Sequence, residues 1–372
     1  MSLIRRFFHA WERRLAIADD PERKVLPFDW GVKDLGNGDD PAREARQALH
    51  EHARDALAES HSYFQPDEAS YLEVEENEVW FETPLPSAYE QNNTAHGVFF
   101  SASPNGPAVV VLPQWNARGG AHDGLCRLLN LYGMSALKLS LPYHGPRRPE
   151  GLTRADYALS PNLGRTLHSC RQAVQEARVA VSWLIEQGYG PVGIVGTSLG
   201  SCISFIAFAH DPRIEAGVFN HISPYFADVV WRGLSTRHIR EGLKGHLDLD
   251  ELRQLWLPIS PQAYVHRLAG GDRFSLLIWA RFDLSFPPDL SHQLVEEFER
   301  VNAPYERYVL PCGHYTTAKF PFNFMDGFAI ARFLKRQLIN QTANERKWDA
   351  HEREWKKSTQ RRKGEKTANK RK

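Results

Sequence analysis

No run of about 18 apolar residues occurs anywhere in the 372-residue chain, so a membrane-spanning helix is not expected. The N-terminus, MSLIRRFFHAWERR, is broken by charge too early to be a secretory signal, and the chain is expected in the cytoplasm. Cysteine is scarce. Cys126, Cys170, Cys202 and Cys312 stand far apart with no C-x-x-C spacing, which excludes a disulfide framework and a thiolate zinc site and predicts four reduced thiols. Net charge is nearly absent too, at +1, but it is unevenly spread. Residues 345–372 carry 12 Lys/Arg against 5 Asp/Glu, a balance of +7 that leaves −6 for the rest. A tail such as STQRRKGEKTANKRK has little to bury and is predicted to be disordered and solubilising. It lacks interleaved aromatics, so no specific nucleic-acid partner is expected. No internal repeat appears.

What is present is enough apolar residue, 42%, for a sizeable core. Residues 1–75 read as a mostly helical N-terminal segment. Leu3, Ile4, Phe7, Phe8, Trp11 and Leu15 recur at helical spacing, and an acidic, Pro-bearing start at 39–41 opens a second helix. From NEVWFETPL onward, short β-rich runs alternate with helices. AVVVLP, MSALKLSLP, PVGIVG, IEAGVFN, RFSLLIWA and YERYVL read as strands of a mostly parallel sheet with helices on both faces, an α/β fold, and the unbroken apolar run of PVGIVG marks it as buried. This core spans 76–222 and 271–340. Residues 223–270, rich in Trp, Phe and Leu with helical period, interrupt it and read as a helical cap, and 341–372 form the basic tail.

The segment VGIVGTSLGS contains Gly196-Thr-Ser198-Leu-Gly200, a pattern short enough to arise by chance. Context decides. Ser198 falls where an apolar strand gives way to an apolar helix, and the flanking glycines suit a turn so sharp that backbone segments crowd one another. A serine hydroxyl is a weak nucleophile without a base, and the base needs an orienting acid. Asp283 in ARFDLSFPP lies just past a buried strand and His314 in PCGHYTT just past the next strand, in the order Ser, Asp, His. Of the neighbouring acids, Asp272 precedes its strand and Asp289 opens the next helix as a cap. The Leu199 N–H at a helix N-terminus is one oxyanion donor, and Trp115 or Gln114, after AVVVLP, supplies the other. Arg147 and Arg148 in YHGPRRPEG are candidates for holding a substrate phosphate or carboxylate, against the plainer reading of solvated or ion-paired arginines, and His144 is weighed the same way. Cys312 reads as a packing thiol.

Together, GIVGTSLGS, ARFDLSFPP and PCGHYTT resemble the serine-hydrolase branch of the α/β-hydrolase superfamily, over about residues 76–340. EQGYGPVGIVGTSLGS, LPYHGPRRP and GHYTTAKF are similar to the α/β-hydrolase domain-containing protein 18 group. Where many superfamily members have His-Gly after the oxyanion strand, this chain has Pro113-Gln114. The resemblance implies two-step acyl transfer to water through Ser198, His314 and Asp283, without metal or organic cofactor, on a carboxylic ester that for this group is a lipid ester. An acyltransferase with the same triad and a catalytically silent binding protein are the alternatives. The cap is expected to tune acyl length through bulky residues such as Trp231 and Trp256. The first helix, with Arg5, Arg6, Arg13 and Arg14, suits either packing on the core or, with the tail, weak peripheral contact with an anionic membrane.

Overall fold

The computed structural model of the chain describes residues 3–19, 22–36, 44–66 and 73–341. The basic tail from 342 and the expected start of the second helix at 39–41 lie outside these residues.

Among the described residues nine strands form one sheet: β1 (Glu73–Glu75), β2 (Glu78–Glu82), β3 (Thr94–Phe100), β4 (Ala108–Leu112), β5 (Ser135–Ser140), β6 (Val192–Thr197), β7 (Ile214–Asn220), β8 (Phe274–Ala280) and β9 (Tyr305–Leu310). Their order across the sheet is β1-β2-β3-β5-β4-β6-β7-β8-β9. The edge formed by β1, β2 and β3 is antiparallel, as is β3 against β5, and every pairing from β5 through β9 is parallel. β4, in the middle of the sheet, is apolar and buried at every position because both faces are covered. In β4, Val110 and Leu112 face one core while Val109 and Val111 face the other, the period of two that a pleated strand imposes.

Eleven α-helices surround the sheet among the described residues. They are α1 (Leu3–Asp19), α2 (Ala45–Ala58), α3 (Ser60–Tyr63), α4 (Asp123–Leu131), α5 (Leu163–Glu186), α6 (Leu199–His210), α7 (Phe226–Arg232), α8 (Arg237–Leu243), α9 (Leu249–Leu255), α10 (Pro288–Arg300) and α11 (Phe322–Lys335). Residues of α5, α6, α10 and of α7 to α9 build the larger core, and α4 and α11 build the smaller one on the opposite face.

Two expectations about packing change. The apolar stripe of α1 does not all face the core. Phe8 packs on Phe282 and Phe322, and Glu12 and Ala16 are buried, whereas Leu3, Ile4 and Phe7 point to solvent. The segment 223–270 is helical, as α7, α8, α9 and short 3-10 turns, but Trp256 is fully buried and its indole N–H donates to the Leu163 carbonyl. Trp256 therefore ties this segment into the main core instead of lining a gate.

Candidate active site

Ser198, His221, Asp283 and His314 all follow the carboxyl ends of parallel strands, β6, β7, β8 and β9 respectively, the edge where open α/β sheets place their ligands. Ser198 adopts φ 57° and ψ −118°, a left-handed conformation that a residue with a Cβ rarely holds. The surroundings fix it. The Ser198 N–H donates to Asn220 O at 2.8 Å, and the Ser201 N–H and hydroxyl donate to Ser198 O at 2.9 and 2.6 Å. The two glycines of the motif are explained by close approach. A Cβ on Gly196 would lie 2.0 Å from Gly200 O, and one on Gly200 would lie 2.3 Å from Leu112 O. Their absence lets the start of α6 press against the end of β4, which brings the loop carrying Gln114 and Trp115 alongside Ser198.

Ser198, Leu199 and Trp115 line a narrow apolar cavity of about 30 Å³, closed on other sides by Phe226, Val229 and Phe286. Phe286 stacks on the His314 ring, with planes 2° apart and centroids 5.4 Å apart. His314 Nδ1 lies 3.0 Å from Asp283 Oδ2, while Asp283 Oδ1 accepts the Ser285 and Phe286 N–H groups at 2.7 Å each. Burial acts to raise the Asp283 carboxyl. The charge of His314 and the hydrogen bonds from His221 and His314 outweigh it and hold the group well below the usual carboxylate range.

His221 is the residue that sequence reasoning missed. It is buried, its Nδ1 lies 2.8 Å from the same Asp283 Oδ2, and its ring centroid is 4.5 Å from that of His314. Its position directly past β7 was the one available signal. Burial, followed by the charge of His314, lowers its pKa, so it serves as a neutral donor. One ligating atom from each of His221, Asp283 and His314 falls within 4.8 Å of the others, which also makes them the candidate metal-binding group. The two N–O separations are those of hydrogen bonds, shorter than the about 3.3–3.4 Å between ligands of a tetrahedral zinc ion.

Glu12 was missed as well. From α1 its carboxylate accepts the N–H groups of Tyr315 and Thr316 at 3.0 and 2.9 Å and the Thr316 hydroxyl at 2.9 Å, gripping the turn that carries His314. Gly313 makes this approach feasible, since a Cβ there would lie 2.4 Å from the Glu12 carboxyl carbon.

The remaining sequence candidates sort by placement. Trp115 reaches the cavity, and its indole N–H donates to Ala155 O at 2.9 Å. Gln114 is half-buried, and its carbonyl accepts the Ala117 N–H. His144 supports the same loop. Burial lowers its pKa to about 4, so it is neutral, and its Nε2 accepts the Asn116 N–H at 2.8 Å. Arg147 does not reach the cavity. Buried to 1% exposure, it forks onto Glu176 at 2.6 and 2.7 Å and donates to the carbonyls of Asn92 and Ser140, which is the ion-paired reading. Arg148 is exposed and donates to Thr153 O. Burial pushes the Cys312 thiol up to about 12, as suits a packing residue.

Beneath the site, Asp326 of α11 accepts the Asn220 side-chain N–H at 2.7 Å, and burial pushes its carboxyl up to about 7. The folded chain thus binds this proton more tightly than the unfolded one, whose Asp titrates near about 3.9. Its stabilisation is complete below about pH 4 and is lost as the pH rises to about 7. Asp326→Asn is therefore expected to add about 2 kcal/mol above pH 7, allowing for partial exposure of the residue, and almost nothing near pH 4. Denaturant melts at the two pH values check this, and an equal gain at both would refute it.

Comparison with known proteins agrees with this architecture. The profile of the family described as alpha/beta hydrolase domain containing 18 matches residues 125–365, more than half of the chain. Among solved structures, the acetyl xylan esterase from Paenibacillus sp. R4 is similar with a TM-score of 0.53 at 13% identity, over 86% of this chain and 98% of that one. Acetyl xylan esterase 1 from Thermoanaerobacterium sp. JW/SL YS485 gives 0.52 at 14%, over 82% and 99%. At such identities the shared property is the α/β-hydrolase fold.

Proposed function

The chain belongs to the alpha/beta hydrolase domain containing 18 family, and from that premise we propose that it is a serine hydrolase cleaving a carboxylic ester, of the esterase or lipase type, through Ser198, His314 and Asp283. The observation that carries this reading is the Asp283–His314 hydrogen bond beside a cavity lined by Ser198, Leu199 and the Phe286 ring stacked on that histidine.

In the proposed reaction His314 Nε2 takes the Ser198 proton as the hydroxyl oxygen attacks the ester carbonyl. Asp283 fixes the Nδ1–H tautomer and stabilises the imidazolium, with His221 holding Asp283 in turn. The oxyanion is received by the N–H of Leu199, the first residue of α6, and by that of Trp115, which is preferred over Gln114 because Trp115 lines the cavity. The alcohol leaves with a proton from His314, and water repeats the sequence on the acyl-enzyme. The apolar lining suits a hydrocarbon acyl chain, as in a lipid ester. The test is labelling of the intact chain with a fluorophosphonate, followed by a graded series of acyl esters. Absence of both labelling and turnover would overturn the proposal. Product accumulation on an added alcohol instead of water would reassign it as an acyltransferase.

Selectivity is expected to lie with Val229 and Val230 of α7, which line the cavity, and not with the bulkier tryptophans. Val230→Ala should move the preferred ester toward longer acyl chains with a stability loss of about 1–2 kcal/mol. Trp256→Ala should instead cost about 3–5 kcal/mol, as truncation of a buried aromatic does. Ester-panel kinetics set beside thermal melts separate the two. An unchanged acyl profile in Val230→Ala would remove α7 from the acyl site.

A further inference from the structure

The outer surface of α1 carries large apolar side chains among its arginines, where a helix on a folded core should be polar. Leu3, Ile4 and Phe7 are 82%, 62% and 61% exposed. A second row runs from Phe320, two residues before α11, to Phe324 and Phe328 on successive turns of that helix, with centroids 5.9 and 6.4 Å apart. All three rings are exposed. The two helices meet beneath these rows, where the half-buried Phe8, next to Phe7, packs on Phe322 at the head of α11. The charges are one-sided. Among the described side chains of the two helices, the exposed charges include Arg6, Arg13, Arg14, Arg332 and Lys335, whereas the acids turn inward, Glu12 to the His314 turn and Asp326 to Asn220.

We propose that this face docks on an anionic lipid bilayer, with the phenylalanines in the interface and the arginines among the headgroup phosphates. Aromatic and aliphatic side chains interleaved with arginine on a helix face are what an interfacial helix presents. A second copy of the chain would set arginine against arginine, whereas an anionic surface complements them. The inference stands apart from the ester chemistry, because its readout is binding alone.

The test sediments the full-length chain with vesicles of phosphatidylcholine, and with vesicles of phosphatidylcholine and phosphatidylglycerol in equal parts. Binding is expected to the anionic vesicles and to weaken as salt rises. The Arg13→Gln and Arg14→Gln changes should each lower partitioning about fivefold, and Phe7→Ser combined with Phe324→Ser should abolish it. These side chains are exposed, so melting midpoints should stay within about 2 °C of the parent. The proposal is overturned if neither vesicle binds, if the Phe and Arg substitutions leave binding unchanged, or if sedimentation velocity finds a dimer that the Phe substitutions split.

Discussion

Ser198→Ala is expected to lose fluorophosphonate labelling altogether and to lower ester turnover by about a millionfold, while melting at the same temperature as the parent. The size of the loss follows from the role assigned, since without the hydroxyl there is no acyl-enzyme and the base has nothing to activate. The unchanged stability follows from the backbone. Serine and alanine each carry a Cβ and tolerate φ 57° equally poorly, and the contacts holding that conformation come from Asn220, Ser201 and the glycines around the turn. Gly196→Ala is the informative contrast. Its new methyl would meet Gly200 O at 2.0 Å, so α6 would have to move and the fold itself should suffer. Retained labelling in Ser198→Ala would remove the serine from the chemistry, whatever its geometry.

Glu12→Ala is expected to lower kcat about a hundredfold and to cost about 3 kcal/mol of stability. Glu12 sits at the far end of the chain from the chemistry and acts on it through the His314 turn, as a positioning residue. Removing the carboxylate takes the acceptor from the Tyr315 and Thr316 N–H groups, at a cost of about 1–3 kcal/mol each where buried, while the Thr316 hydroxyl keeps the Gly313 carbonyl at 3.2 Å. Glu12→Gln keeps the volume but turns an NH2 donor toward donors, so it should recover little. The decisive readout is the fluorophosphonate labelling rate of Ser198, taken well below the melting temperature. A purely structural residue would leave that rate intact in the folded fraction, and such a result would confine Glu12 to stability.

Much of the sheet was legible because its central strands are largely apolar runs, and each of the six runs from AVVVLP to YERYVL is a strand, the last a half-exposed edge. Ser198, Asp283 and His314 were legible for a related reason, since they follow three of these runs by one, three and four residues. His221 obeys the same rule but had no role waiting for it, and one histidine among sixteen carries no signal by type alone. Glu12 was hidden by its helix. Set among four arginines, it reads as a solvated charge, yet at 3.6 residues per turn it shares a face with Phe8 and Leu15, and that mismatch was the available clue. For Arg147 the sequence left the substrate-binding and ion-paired readings both open, because its partner Glu176 lies 29 residues away on α5 and only the fold brings them together. The direction of α1's apolar stripe was equally out of reach. Spacing says which residues share a face and not what that face meets.

The grip of Glu12 on the His314 turn joins positions 303 residues apart, and this sets a schedule for the protein's birth. The first helix leaves the ribosome long before its partner exists. At ordinary elongation rates of about 5–20 residues per second, roughly 15–60 s separate the two. During that interval the Phe8 and Glu12 face of the helix lacks Phe282, Phe322 and the 313–316 turn, its partners in the folded chain. Under the proposed mechanism a chain cut short before residue 314 carries Ser198 without its base, so the grip on the His314 turn forms only after the last proposed member of the site has been made.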